Sequence, residues 1–60
     1  MSKFNVGDRV RIARPEPSDA LYRGVSTTVV GGTDQDGCGV ALPNGGVWYF
    51  YDNELDPIED

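Results

Sequence analysis

The chain is 60 residues long, carries a net charge of −5, and contains one cysteine and no histidine. A single cysteine excludes a disulfide within the chain. Without histidine, neither a Cys/His zinc site nor histidine-based acid–base catalysis can form. The length predicts one domain over residues 1–60, near the lower size limit for folding without a disulfide or a metal, so each large apolar side chain is needed for the core.

The distribution of charge and hydropathy limits the partners. Residues 1–23 contain all five bases and three acids, a net charge of +2, whereas residues 24–60 contain seven acids and no base, a net charge of −7. An acidic second half repels phosphate backbones, which argues against nucleic acid as a partner. No apolar run approaches the roughly 18 residues of a membrane helix, and no signal-peptide pattern opens the chain, so we expect a cytoplasmic protein with no membrane partner.

The first element in chain order is a strand. Helical periodicity is absent over any useful length, while turn residues separate short runs of β-branched and aromatic residues, which predicts an all-β fold. Residues 6–14 alternate Val10 and Ile12 with Arg9 and Arg11. This pattern is typical of a strand with one buried and one charged face.

The segment 15–24 cannot continue that strand, because Pro15 and Pro17 lack the N–H groups of a ladder. We expect a long, partly extended loop, anchored to the core by Leu21 or Tyr22. Three further strands are predicted after it, at 25–31, 38–42 and 46–51, with a turn at 32–37.

The loop 43–45, with the sequence Pro-Asn-Gly, sets the register of the last two of these strands. It fits a type I turn followed by a left-handed glycine, which is a three-residue hairpin loop with a bulge. This loop predicts the pairs Leu42–Gly46, Val40–Trp48 and Cys38–Phe50. A loop of two or four residues would shift the register by one residue, and the second glycine, Gly46, leaves that alternative open.

The three-residue register divides the aromatic cluster between two faces. The more apolar face is predicted to be the core, and it carries Cys38, Val40, Leu42, Trp48 and Phe50. Tyr49 and Tyr51 then stand outside. On this reading Trp48→Ala is expected to cost about 3–5 kcal/mol, whereas the shifted register would place Tyr49 in the core instead.

The last predicted elements are a helical turn and a short strand. Residues 52–55, Asp-Asn-Glu-Leu, predict one helical turn that Asp52 caps and from which Leu55 returns to the core. Residues 56–58 predict a final strand, in which Pro57 is tolerated only at the edge of a sheet.

Five short strands, a long loop after the first and one short helical turn before the last resemble an SH3-like barrel. FNVGDRVRI at 4–12 and TTVV at 27–30 resemble the paired strands of KOW-type and related small barrels. GVALPNGGVWYFYDNEL at 39–55 resembles the ending of small SH3-like proteins common in bacteriophage and bacterial genomes. The resemblance implies a phage or bacterial accessory protein, in the host cytoplasm if phage-encoded. KOW proteins carry a basic, glycine-rich loop where this chain has PEPSDALYRG at 15–24, which weighs against RNA or ribosome binding.

Residues 10–30, VRIARPEPSDALYRGVSTTVV, are also similar to the start of the photosystem I PsaE subunit, another SH3-like barrel, which helps to dock ferredoxin. That subunit is basic where this chain is acidic, and the second halves do not match. The similarity therefore implies a shared fold, and a fold alone does not carry function.

No arrangement of residues in the sequence supports catalysis. The serines and Cys38 have no histidine to activate them, and no Gly-x-x-x-x-Gly-Lys phosphate loop is present. Cys38 is predicted to be a small buried hydrophobe. Asp34 and Asp36 are predicted to serve turn geometry, because a calcium loop needs more carboxylates and a distal glutamate. We therefore expect a protein that is not an enzyme and binds no metal or cofactor.

The predicted binding site consists of the outward tyrosines and nearby acids. Tyr49 and Tyr51 would present two amphipathic rings of the kind that suit interfaces. Tyr22 is expected beside them, because the corresponding loop of SH3-like barrels flanks the ligand groove. The predicted binding residues are Tyr49, Tyr51, Tyr22, Asp52, Glu16 and Asp19. We expect them to bind a protein partner, in a chain that is a monomer or weak oligomer.

Two other functions remain open on the sequence. Arg9, Arg11 and Arg14 could bind nucleic acid in the manner of a KOW-like barrel, with an affinity that falls steeply with salt. Alternatively, the acidic second half could mimic DNA and inhibit a nucleic-acid-binding enzyme.

Overall fold

Residues 2–58 are described by a computed structural model, in which they form one antiparallel sheet of five strands. In chain order the strands are β1 (Arg9–Ile12), β2 (Ser26–Gly31), β3 (Gly37–Ala41), β4 (Val47–Tyr51) and β5 (Leu55–Pro57). Their order across the sheet is β4-β3-β2-β1-β5, so that β4 and β5 are its two edges. The all-β prediction is confirmed.

Strand β1 lies inside the sheet, with β2 on one side and β5 on the other. Its side chains alternate as predicted, because Val10 and Ile12 are fully buried while Arg9 and Arg11 are exposed. Strand β5 begins one residue earlier than predicted, and its Pro57 lies at an edge, where the missing N–H is tolerated.

Two 3₁₀ helices connect the strands. The first, Pro17–Tyr22, lies between β1 and β2, and its proline suits the start of a helix, where the N–H has no partner. The long connection is therefore partly helical rather than extended. Of the two predicted anchors, Tyr22 packs against the core, whereas Leu21 is 74% exposed. The second 3₁₀ helix, Asp52–Glu54, is the predicted helical turn before β5.

The second 3₁₀ helix is not capped by Asp52, so that prediction is wrong. Tyr51 is the N-cap residue, and its N–H donates to Oε1 of Glu54 at 2.8 Å. The carboxylate of Asp52 instead accepts hydrogen bonds from the Ser2 hydroxyl at 2.6 Å and from the Lys3 N–H at 3.0 Å. Asp52 thereby ties the beginning of the described chain to the end of β4.

The β3–β4 hairpin has the three-residue loop and the register expected from it. Gly45 has the left-handed φ of +91° that the loop requires, and the Leu42 N–H donates to the Gly46 carbonyl at 2.8 Å. The paired residues include Val40–Trp48 and Cys38–Phe50. The shifted register is therefore wrong.

In the described part of the chain, nine buried hydrophobic side chains form the core: Phe4, Val10, Ile12, Val29, Cys38, Val40, Leu42, Phe50 and Leu55. Trp48 is absent from this set, and its predicted core position is wrong, because 52% of its surface is exposed. It lies on the same face of β4 as the buried Phe50. An edge strand has a neighbour on one side only, so a side chain near the start of that strand is covered from one side while the other remains open.

Candidate binding surface

Strand β4 exposes most of its side chains, on both faces of the sheet. The exposed fractions are 59% for Val47, 52% for Trp48, 38% for Tyr49 and 49% for Tyr51, against 1% for Phe50. Val47, Tyr49 and Tyr51 share the outer face, here called the tyrosine face, and Trp48 lies on the core face. A chain of this size needs its apolar surface for folding, so four exposed apolar side chains on one strand mark a candidate binding surface.

Two glycines of β3 lie beneath the tyrosine face. A Cβ at Gly37 would lie 2.9 Å from the ring of Tyr49, and a Cβ at Gly39 would lie 3.3 Å from a methyl group of Val47. The side chains of β4 therefore lie across the backbone of β3, where larger residues would displace them. Glycine within a strand commonly marks such a close approach.

Tyr49 is held in place by a hydrogen bond from its hydroxyl and by contact with a neighbouring ring. Its hydroxyl donates to Oδ1 of Asp34 at 2.7 Å, and its ring meets that of Tyr51 edge-on, with centroids 5.5 Å apart. The same Asp34 oxygen accepts the backbone N–H groups of Asp36 at 2.8 Å and Gly37 at 3.0 Å. Asp34 therefore shapes the turn, as predicted, and also orients Tyr49, which the sequence did not indicate.

These contacts shift two pKa values in opposite directions. The hydrogen bond from Tyr49, followed by those from the backbone of Asp36 and Gly37, lowers the pKa of Asp34. The hydrogen bond to Asp34 raises the pKa of Tyr49. Asp34 therefore stays ionised, and Tyr49 stays protonated, over a wider pH range than either does in an unfolded chain.

The border of the tyrosine face is acidic. Asp34 and Asp36 lie in the turn before β3, and the Asp36 carbonyl accepts the N–H of Asp52 at 2.9 Å, which brings this turn to the end of β4. Within residues 2–58 neither Asp34 nor Asp36 has a salt bridge, and no base follows Arg23 in the chain. The surface therefore joins exposed aromatic rings to two carboxylates that form no salt bridge within residues 2–58.

The other predicted site residues lie on different elements. Tyr22, Glu16 and Asp19 belong to the first 3₁₀ helix or its start, whereas β4 packs chiefly against β3. Tyr22 is half-buried against the core. Asp52 is partly buried, and both of its carboxylate oxygens accept hydrogen bonds from the beginning of the chain. The packing thus separates Tyr49 and Tyr51, which Asp52 follows directly, from Glu16, Asp19 and Tyr22 at the first 3₁₀ helix.

The three arginines proposed to bind nucleic acid also fall into two groups, according to whether they point outward or bond within the chain. Arg9 and Arg11 point outward from β1. Arg14 instead donates to the Asp56 carboxylate at 2.7 Å and to the Asn53 carbonyl at 2.8 Å, and its bond to Asp56 raises its pKa. One arginine of the three therefore serves as an internal partner of the acidic second half.

Within residues 2–58 there is no cluster of metal ligands, and the cysteine is buried. Cys38 is a fully buried free thiol whose pKa is raised by burial, so it has little thiolate character. No group of three or more potential ligands could hold a metal ion in that part of the chain. A pocket of about 90 Å³ near the beginning of the chain is large enough for a few water molecules only. Its lining consists of Ser2, Phe4, Asn5, Thr33 and Asp34.

Trp48 is the exposed residue that sequence reasoning missed. Its face was predicted correctly from the hairpin register, but its exposure depends on which strands lie at the edges. The predicted fifth strand was the signal in the sequence that could have indicated this exposure. When the last strand pairs with β1, as β5 does, β4 has only β3 as a neighbour among the five strands and becomes an edge.

Comparison with known proteins provides no relative from which a function could be transferred: no family model, no curated protein and no solved structure matches the chain. No helix within residues 2–58 is long and apolar enough to cross a membrane.

Proposed function

We propose that this chain is a small SH3-like barrel that acts as a non-catalytic protein-binding module, with the tyrosine face as its contact surface. Five strands, a long β1–β2 connection and a helical turn before β5 support the barrel assignment, because the resemblance rests on these features. The same resemblance supports an accessory role in a phage or bacterium, and hence a cytoplasmic location.

The exposed apolar surface of β4 is the observation that carries the proposal. Tyrosine and tryptophan give large contact areas with few rotatable bonds, and both are enriched where interfaces derive most of their binding energy. Tyr49 is already fixed by its hydrogen bond to Asp34 and by its edge-to-face contact with Tyr51, so binding would order little further. The chain also contains no histidine and has a buried, protonated cysteine, which favours binding over catalysis.

Charge defines the kind of partner. The acidic border of Asp34 and Asp36 favours a basic protein surface and repels an acidic one. Mixed aromatic and acidic surfaces suit arginine and lysine side chains, whose charge pairs with carboxylates and whose stems or planes pack on rings.

Affinity capture from cells that encode the chain tests this proposal. We expect the wild-type chain to retain a protein that both Tyr49→Ala and Tyr51→Ala lose while each variant still unfolds cooperatively. Leu21→Ala is the control, since it removes a still more exposed apolar side chain from another element. Retention of the same protein by both tyrosine variants would contradict the assignment of the site.

Nucleic-acid binding is the second candidate, and the exposure of Arg9 and Arg11 on one face of β1 favours it. It predicts binding of DNA or RNA at low salt that weakens steeply as salt rises and that Arg9→Ala with Arg11→Ala abolishes. No binding at low salt would eliminate this candidate. An acidic mimic would behave differently, because DNA would then compete with the chain for the captured protein.

A further inference from the structure

The open edge of β4 carries an inference about how the partner binds. Among the strands of residues 2–58, β4 is the last of the sheet and pairs with β3 alone. At one end of the β3–β4 ladder the Leu42 N–H donates to the Gly46 carbonyl, and at the other end the Asp52 N–H donates to the Asp36 carbonyl. Every second residue between Gly46 and Asp52 therefore also bonds to β3, and Trp48 is one of them. Because an antiparallel ladder alternates, the backbone N–H and C=O groups of Val47 and Tyr49 point away from β3, towards the open edge.

We propose that this edge receives an extended, basic segment of a partner protein, which pairs with β4 as an additional strand. The inference rests on the proposed function and gives that surface a binding mode. Pairing would add about four backbone hydrogen bonds, at Val47 and Tyr49. Alternate side chains of the segment would lie beside Trp48 on one face and beside the tyrosine face on the other.

The unpaired part of the β4 edge is limited at both ends. At its far end the N–H of Tyr51, which also points away from β3, already donates to the Glu54 carboxylate at 2.8 Å. At its near end the loop 43–45 turns the chain back into β3. The edge therefore suits a short segment rather than a long sheet extension.

The protection that edge strands ordinarily carry is absent from β4. Natural edges are guarded by charged residues, proline, bulges or very short strands. The sequence of β4, VWYFY, contains neither a charge nor a proline, and its pairing with β3 is regular over all five residues. An unguarded edge with exposed apolar side chains on both faces is a site suited to strand addition.

Charge selects a basic segment over a second copy of this chain. Asp34 and Asp36 lie at the Tyr51 end of β4 and have no salt bridge within residues 2–58. Trp48 and Tyr51 are each about half exposed, and aromatic rings attract lysine and arginine side chains. Two copies of the chain would each bring a net charge of −5 to the contact.

Selection of short random peptides displayed against the immobilised full chain tests the proposal. We expect wild type to enrich basic peptides with β-branched residues, and Val47→Pro not to enrich them. That proline removes an N–H directed at the open edge and leaves the β3 ladder complete. Val47→Ala retains the N–H and is the matched control, which should enrich the same peptides. Enrichment of uncharged or acidic peptides, no enrichment by wild type, or equal enrichment by Val47→Pro would overturn the proposal.

Titration of the most enriched peptide provides a readout that does not depend on a variant's folding. We expect slower amide exchange at Val47 and Tyr49 when the peptide binds. N-methylation of the peptide nitrogens that face β4 should raise Kd by about tenfold or more while preserving its charge, because it removes backbone hydrogen bonds. An unchanged Kd after N-methylation would refute edge pairing.

The outcomes separate this inference from the proposed function. If N-methylation has no effect but Tyr49→Ala and Tyr51→Ala abolish peptide binding, the tyrosine face binds through side chains alone and only the edge pairing fails. If the tyrosine variants also retain both the peptide and the captured protein, the proposed function fails as well. A reversible dimer that Val47→Pro dissociates would assign the edge to a second copy and overturn the basic segment.

Discussion

The two edges of the sheet are built in opposite ways. Strand β5 is three residues long, includes Asp56 and Pro57, and is held by the salt bridge from Arg14. Strand β4 is five residues long, contains no charge and no proline, and buries only Phe50. The edge that β5 forms has a charge, a proline and a short strand, features by which proteins prevent strand addition, whereas β4 has none of these and only its Tyr51 N–H is occupied, by Glu54.

This difference indicates where function should be sought. Apolar surface is scarce in a chain of 60 residues, and β1, which lies inside the sheet, buries every apolar side chain it has. β4 keeps four apolar side chains exposed, and two of them on its outer face, Val47 and Tyr49, lie against two glycines of β3, while Tyr49 also bonds to Asp34. Exposing these side chains forgoes the stability that their burial would give, yet neighbouring residues hold them in place. This combination favours a role in binding over a role in folding.

The largest expected effect on stability comes from replacing Phe50, the one residue of β4 that is buried in the core. Phe50→Ala should lower the free energy of unfolding by about 3–5 kcal/mol, because Phe50 is almost fully buried and alanine leaves a cavity. Denaturant titration measures this change. An effect no larger than that of Trp48→Ala would mean that β4 is not attached mainly through Phe50.

Replacing Gly37, which lies beneath Tyr49, should have the next largest effect on the free energy of unfolding. A Cβ at Gly37 would overlap the Phe50 carbonyl oxygen and approach the Tyr49 ring, so Gly37→Ala requires a backbone shift and should cost about 3 kcal/mol. Gly39→Ala is the matched control. Its Cβ would lie 3.1 Å from the Gly31 carbonyl oxygen, so the smaller adjustment should cost about 1 kcal/mol. Equal unfolding free energies for the two variants would show that the glycines do not differ in this way.

Trp48→Ala should be milder than either change. Half of the Trp48 surface is already exposed, so its loss should cost about 1–2 kcal/mol and leave the fold intact. This expectation replaces the larger value that a core position implied. A cooperative thermal transition with a small shift would support it, whereas an unfolded Trp48→Ala would show that this edge is needed for stability.

The smallest expected effect concerns pH. The lowered pKa of Asp34 means that its contribution to stability is complete above its ordinary value of 3.8 and is lost as the pH falls through the lower folded-state value. Because Asp34→Asn removes this titrating group, the unfolding midpoint of the variant should fall less steeply than that of wild type as the pH decreases. Tyr49→Phe should do so less, because the backbone hydrogen bonds to Asp34 remain.

The corresponding acid on the guarded edge provides the comparison. The pKa of Asp56 is also lowered, first by its hydrogen bond from Arg14, so Asp56→Asn should flatten the acid decline as well. Measuring unfolding midpoints across acidic pH for Asp34→Asn, Asp56→Asn and the double variant should show additive effects, since the two acids lie at opposite edges. Acid curves identical to wild type in both single variants would contradict these roles.

Much of the fold could be predicted because its signals are local. Alternation in β1 and the Pro43–Gly45 loop depend on neighbouring residues, and both predictions are confirmed. The prediction for Asp52 failed because its hydrogen-bond partners, Ser2 and Lys3, lie at the other end of the chain. The candidate site was predicted in part: Tyr49 and Tyr51 were expected on the outside, but the role of Asp34 in orienting Tyr49 depends on a contact between separate segments.

The sequence by itself determined the class of fold and predicted the three-residue loop, from which the hairpin register and the face of each ring of β4 follow, because turn geometry and the two-residue period of a strand are local properties. The structure then decided for this register over the shifted one that Gly46 left open. Only the tertiary structure decided that Trp48 is exposed. Which face a side chain occupies follows from register, but its burial depends on what lies beyond it, and at the edge formed by β4 no further strand of residues 2–58 covers it. The aromatic cluster therefore supplies one ring to the core and three to the surface.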